Sequence, residues 1–248
     1  MKISIITITY NSVKTLQRAL DSVQNQTYSD IEHILVDGAS TDGTREMIEA
    51  YAAAHPNIKW VSEKDSGIYN AINKGLRMAT GDIVGFLHSD DVYYNADSIA
   101  QIAMAFTISH ADVVYSDLQY CRADKVVRRW KSNPFHPSTL KYGWMPPHPT
   151  MFCRRSVYEQ VGAYDERFRI SADYDMVLRI FHAPRSYRVY YVPEVLVSME
   201  LGGASNRNLR ARWAKTREDY RVVKKNHIGA GYLTIACKQL RKIKQFIR

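Results

Sequence analysis

The sequence predicts an α/β fold, a mainly parallel sheet flanked by helices, with a helical extension at the C-terminus. Three observations predict it. Short β-rich runs alternate with helical periodicities through the first 120 residues. One run, 83–87, is almost wholly apolar, as a strand covered on both faces must be. Beyond Asn206 the pattern is helical to the end, interrupted at Gly229-Ala230-Gly231.

The elements follow in order. Residues 3–9 read as a strand, and 13–24 as a helix with Val13, Leu16, Leu20 and Val23 on one face and Ser12 as its N-cap. A strand over 32–36 ends at Asp37-Gly38, and a helix over 44–55 stops before Pro56. A short strand at 59–62, a helix at 68–79, the buried strand at 83–87, a helix at 96–109 and a strand at 112–116 complete this half. A β-α-β-α order predicts parallel pairing. Residues 121–150 look irregular, rich in Pro, His and Trp. Helices follow at 156–161 and 173–181, then short strands at 189–192 and 195–198 on either side of Pro193. The division expected is 1–204 as one domain, 1–120 binding a nucleotide and 121–204 an acceptor, with 205–248 as a basic tail.

Composition narrows the class. The 248 residues, 46% hydrophobic, suffice for one sizeable core. No run approaches the roughly 18–20 apolar residues of a membrane span, and the N-terminal MKISIITITYNS reads as a strand rather than a signal peptide. Three scattered cysteines without a CxxC point away from disulfides and zinc and toward a reducing cytoplasm. The net charge of +9 is concentrated at the end: residues 205–248 hold thirteen basic and two acidic residues, +11, leaving −2 for the rest. Such a tail suits an anionic partner.

In open α/β sheets ligands bind at the carboxyl ends of the strands. Three of those ends carry polar clusters: Thr9-Tyr10-Asn11, the run from Asp37 to Thr44, and His88-Ser89-Asp90-Asp91. Each alone is ordinary turn and cap chemistry. Together they would face one crevice. Adjacent carboxylates repel, so Asp90-Asp91 calls for a compensating cation, and Mg²⁺ or Mn²⁺ takes one or two carboxylates plus ligand phosphates. The alternative is a capping turn for the helix that follows.

With these residues in view, the chain resembles the family 2 inverting glycosyltransferases of the GT-A, Rossmann-like nucleotide-binding fold, in the branch that builds bacterial surface polysaccharides. The matching strings are TYN, VDGASTDGT, DSGIYNAINKG, GDIVGFLHSDD, PHPTMFCRR and ISADYDMVLR, in order, to about Arg179. The resemblance implies a nucleotide-sugar donor, usually with UDP, lying on Thr9, Tyr10, Asn11, Asp37, Asp65, Lys74, Ser89 and Asp90. Asp37 matches the residue that meets the base. Asp91 matches the ligand of Mn²⁺ or Mg²⁺, and Asp173 the catalytic base, in an Ala-Asp where many relatives have Glu-Asp. Asp175 is the runner-up, and the lesser alternative for Asp173 is a helix N-cap. Lys74 reads as a donor contact or a solvated helix residue. His148 is an acceptor candidate. Trp144, with Trp130 and Tyr142, either stacks on a sugar or fills the core.

The resemblance also implies a glycan or polyprenyl-diphosphate-linked acceptor, as in lipopolysaccharide or O-antigen synthesis. Leu240, Ile243, Phe246 and Ile247 recur at helical spacing among Lys and Arg, the pattern of a helix lying on an anionic membrane, so the expected place is peripheral, on the inner face of the cell membrane. The alternative is a helix docked on the domain. Two other readings, a non-catalytic nucleotide-sugar module and a sugar nucleotidyltransferase, fit less well. No nucleic-acid motif accompanies the basic tail, so no nucleic-acid partner is expected.

Overall fold

The computed structural model describes residues 1–122, 125–201 and 209–243. The strands are β1 (Ile3–Thr9), β2 (Ile31–Asp37), β3 (Ile58–Ser62), β4 (Ile83–Phe86), β5 (Val92–Tyr93), β6 (Val113–Arg122), β7 (Lys125–Trp130), β8 (Phe152–Arg154) and β9 (Val189–Glu200). The helices are α1 (Leu16–Gln24), α2 (Thr44–Ala54), α3 (Ile68–Met78), α4 (Ser98–Ser109), α5 (Arg155–Val161), α6 (Ala172–Phe181), α7 (Leu209–Lys225) and α8 (Tyr232–Ile243).

The strands form one sheet in the order β3-β2-β1-β4-β8-β6-β9-β5, with β7 beside β6. β1 to β4 are mutually parallel, as is β6 with β9. β8, β7 and β5 run antiparallel to their neighbours, so the sheet is mixed where a mainly parallel one was expected. The two-fold alternation of strand side chains fills two layers. Ile6, Ile8, Ile34 and Val36 face α3, α6, α7 and α8, whereas Ile3 and Ile5 face α1 and α4.

Several boundaries moved for identifiable reasons. Helix α1 begins at Leu16 rather than Val13, because the backbone carbonyl of Ser12 accepts the N–H groups of Thr15 and Leu16 in a turn. Pro193 does not divide a strand. β9 runs through it, the register jumping from Ser116↔Val192 to Asp117↔Val195, so that Pro193, which has no N–H to give, sits in a bulge. The supposedly irregular 121–150 contains β7 and short 3-10 turns at Pro137–Tyr142 and His148–Thr150.

The tail is not an appendage among its described residues. Val222, Val223, Ile228 and Ile235 are buried in the same core as β1, β4 and α6. Gly229 and Gly231, at φ +59° and +60°, make the turn that brings α8 back along α7. Leu240 is exposed. Phe246 and Ile247 lie outside the described residues.

Candidate active site

The parallel register aligns Thr9, Asp37 and Ser62 at one edge of the sheet. Hydrogen bonds then stitch the strand ends together. The Asn11 N–H donates to Ser40 Oγ at 2.8 Å, and the Thr41 N–H to Asn11 Oδ1 at 3.0 Å. Asn11 holds φ at +49°, a left-handed conformation that Asn tolerates better than most residues. The Ser12 N–H reaches Thr44 Oγ1 at 2.8 Å, and Ser89 Oγ donates to Ser12 Oγ at 3.1 Å. The clusters after β1, β2 and β4 therefore form one surface.

Within it the residues differ in role. Asp37 has no exposed surface and accepts from Ser40 N–H, Ser40 Oγ and Ser62 Oγ. These bonds fix the loop after β2, and a carboxylate with about four lone-pair sites keeps acceptor capacity beyond its three donors. Thr9 Oγ1 is buried without a partner, and Tyr10 is two-thirds exposed. Asp65 pairs with Lys74 at 2.6 Å, and Lys74 also with Glu63 at 2.9 Å, so Lys74 is not a solvated helix residue. Gly38 lets these groups meet: a Cβ there would stand 3.1 Å from Asp65 Oδ2 and 3.2 Å from Tyr10 Cδ2.

After β4, Asp90 is exposed and lines a small cleft with Arg18, Gln119, Ser198 and Glu200. Asp91 turns inward, 1% exposed, its Oδ1 accepting the Glu200 N–H at 3.2 Å. Its Oδ2 is buried with no hydrogen-bond partner. Burial, then the charges of Asp90 and Glu200, push its carboxyl well above the usual range. An orphaned carboxylate oxygen beside a second carboxylate fits a divalent cation whose remaining ligands come from a bound phosphate.

Asp173 is the second residue of α6, its side chain 17% exposed. Tyr69 of α3 donates its hydroxyl to Asp173 Oδ1 at 3.3 Å, and His148 Nδ1 lies 3.6 Å from Oδ2. The His148 ring faces that of His88 at 6.5 Å. His88 is two residues before Asp90, so the contacts from Asp173 through His148 to His88 lead from α6 toward the corner after β4. Burial would raise Asp173, but His148, Lys215 and Lys238 outweigh it and hold the carboxyl below its ordinary value. Burial also pushes His148 itself down to about 4, so its ring is neutral near pH 7.

Asp175, the alternative base, is fully buried and bound by Arg179, Lys225 and Asn226, a structural ion cluster with no access to a substrate. Trp144 does not face an acceptor. It is 4% exposed and packs against Tyr115, Phe135 and Phe181.

Other residues of the site had no assigned role in the sequence. Tyr69 and Asn73 share one face of α3 by i, i+4 spacing. Asn73 binds both the carbonyl and the N–H of Tyr164, and Glu166 bonds Asn70 and Asn73, so α3 fixes the approach to α6. A buried Asn in an otherwise apolar helix face is the signal that marks it. Lys215, Asp219 and Lys238 gave none, because their meeting depends on how α7 and α8 fold back.

The profile of the family described as "Glycosyl transferase family 2" matches residues 4–170, ending three positions before Asp173. A "PGL/p-HBAD biosynthesis glycosyltransferase" of Mycobacterium bovis is 36% identical over 209 residues, 82% of this chain and 78% of the relative. An uncharacterised glycosyltransferase of Nostoc is 34% identical over 185 residues, 70% of this chain and 57% of that one. Among solved structures, S. aureus TarS 1-349 in complex with UDP-GlcNAc superposes with a TM-score of 0.72 at 20% identity, over 91% of this chain and 65% of that chain. The mannosyltransferase PcManGT from Pyrobaculum calidifontis, in complex with GDP-Man and Mn²⁺, gives 0.67 at 20% identity, over 96% and 69%.

Proposed function

Because this chain belongs to glycosyl transferase family 2 and folds as a GT-A glycosyltransferase, we propose that it transfers a sugar from a UDP-sugar to a glycan or lipid-diphosphate-linked hydroxyl, with inversion. The observation that supports this reading is the run of contacts from Asp173 to His148 and on to the ring of His88, two residues before Asp90. The solved neighbours, one in complex with UDP-GlcNAc and the other with GDP-Man and Mn²⁺, support a nucleotide-sugar donor and a divalent cation.

The donor lies along Thr9, Tyr10, Asn11, Ser89 and Asp90. Asp37 and Asp65, the latter beside Gly38 and Tyr10, are the carboxylates on the side of the base, and Lys74 holds Asp65. Asp91 would hold Mn²⁺ or Mg²⁺, which supplies charge neutralisation at the departing diphosphate. Asp173 accepts the proton of the acceptor hydroxyl. The hydroxyl oxygen bonds to the anomeric carbon on the face opposite the nucleotide as the anomeric C–O bond to the diphosphate breaks. Tyr69 orients the carboxylate, and His148, neutral near pH 7, borders the acceptor side.

Among the described residues no helix is long and apolar enough to cross a membrane. A peripheral site on an anionic membrane suits the basic tail and the exposed Trp213, Tyr232, Leu233 and Leu240.

The test is Asp173→Asn. Transfer, or slow hydrolysis of a UDP-sugar with Mn²⁺, is expected to fall at least ~100-fold while UDP affinity by calorimetry stays within about threefold. Equal loss of both would make Asp173 a structural residue.

A further inference from the structure

Asp173 is held from α3, and the residue of α3 that holds it is itself locked from behind. The Tyr69 hydroxyl donates to Asp173 Oδ1 at 3.3 Å. One helical turn on, Asn73 is 3% exposed and clamps Tyr164 at two points. Its Nδ2 donates to the Tyr164 carbonyl at 2.9 Å, and its Oδ1 accepts the Tyr164 N–H at 2.8 Å. The same Nδ2 donates to Glu166 Oε1 at 2.8 Å. Tyr164, so pinned, lays its ring along that of Tyr69, the centroids 5.9 Å apart and the planes 11° from parallel. Phe86 of β4 stands edge-on to the Tyr164 ring at 5.9 Å.

A helix face needs no asparagine in order to pack, and burying an amide is costly unless each of its groups is paired. Here they are paired, and a satisfied buried network holds a single arrangement. The Tyr69 ring is buried and backed by Tyr164, so its hydroxyl meets the carboxylate at one place. On the other side of that carboxylate, His148 Nδ1 lies 3.6 Å from Oδ2, beyond hydrogen-bond distance. Oδ1 is thus tied to α3, and Oδ2 is turned toward His148.

We infer that Asn73 and Tyr164 are positioning residues for transfer, acting on Asp173 through Tyr69: Asn73 locks the Tyr164 backbone, the Tyr164 ring seats that of Tyr69, and the Tyr69 hydroxyl fixes Oδ1 so that Oδ2 is presented to the acceptor hydroxyl. This rests on Asp173 being the base. The next residue of α3, Lys74, pairs with Asp65 among the donor residues. Consecutive residues of one helix therefore serve opposite sides of the reaction, Lys74 the donor and Asn73 the base. A shift of about 1 Å in a reacting group costs on the order of 100-fold in rate, so a chain of contacts that aims the carboxylate acts on turnover rather than on donor binding.

The experiment has two readouts on the full chain. In protein labelled with ¹³Cζ-tyrosine, the Tyr69 signal is assigned by its loss in Tyr69→Phe. It is expected to move in Asp173→Asn, which changes the acceptor of its hydroxyl, and in Asn73→Ser, which frees the ring behind it. Hydrolysis of UDP-glucose, UDP-galactose and UDP-N-acetylglucosamine with Mn²⁺ gives the kinetics. Tyr69→Phe and Asn73→Ser are each expected to lower kcat about tenfold, with donor KM and UDP affinity within about twofold. In the Tyr69→Phe background Asn73→Ser should cost little more, because both act through one hydroxyl. If Asn73→Ser does not fold, Tyr164→Leu, which keeps the backbone clamp and removes the ring, takes its place with the same expectations. An unmoved Tyr69 signal in the folded variant, or losses that multiply, overturns the inference. If Asp173→Asn hydrolyses like the wild type, the base assignment itself fails; if it is dead while Tyr69→Phe turns over like the wild type, only the positioning role fails.

Discussion

Asp91 and Asp37 show how far apart two aspartates at equivalent strand ends can be. Both are buried, but Asp37 has three donors and Asp91 has one, leaving Oδ2 bare. An unsatisfied carboxylate oxygen costs stability, and it persists where a ligand completes it. Asp91→Asn should therefore lose Mn²⁺ binding at least ~10-fold, read by Mn²⁺ electron paramagnetic resonance with UDP present, yet leave the thermal midpoint equal to or above that of the wild type. Unchanged Mn²⁺ affinity would remove Asp91 from the cation site. The sequence identified the carboxylates because their types and spacing sit beside a strand end. It did not reveal which oxygens are free, since that depends on Glu200, which is 109 residues away.

At the scale of the element, close backbone packing decides more than propensity. The apolar pattern of β4 was legible, but its neighbour β8, with three residues, was not, because so short a strand has no periodicity to read. The two meet at Gly85, where a Cβ would come within 2.2 Å of the Phe152 ring. Phe152 is among the largest fully buried side chains, so it has nowhere to turn. Gly85→Ala is expected to cost about 1–3 kcal/mol in urea unfolding, and a cost near zero would mean that the β4–β8 contact is looser than described. Pro193 is the converse case. Read locally it ends a strand, yet the long pairing of β6 with β9 carries the chain past it at the expense of one bulge.

For the molecule as a whole, the charge asymmetry and the docking of the C-terminal helices coexist. Helix α8 buries Ile235 and Lys238 and leaves Leu233 and Leu240 outside, so one helix both closes the core and presents an apolar edge among basic residues. Deleting it would damage the domain, whereas changing only its exposed residues tests the membrane reading. Leu233→Ser with Leu240→Ser is expected to weaken sedimentation with phosphatidylglycerol vesicles at least about fivefold without altering the thermal midpoint. Undiminished binding would leave the helix with its docking role alone. The sequence by itself determined the α/β class, the family and the strand-end clusters, and singled out Asp91 and Asp173 as candidates, because periodicity and local motifs are written along the chain. Only the tertiary structure decided that Asp175 and Trp144 are interior residues, that Asp37 anchors a loop, and that Lys215 and Lys238 meet Asp219 beside the start of α6. Burial and charge pairing depend on residues that meet in space, and nothing in linear spacing encodes those meetings.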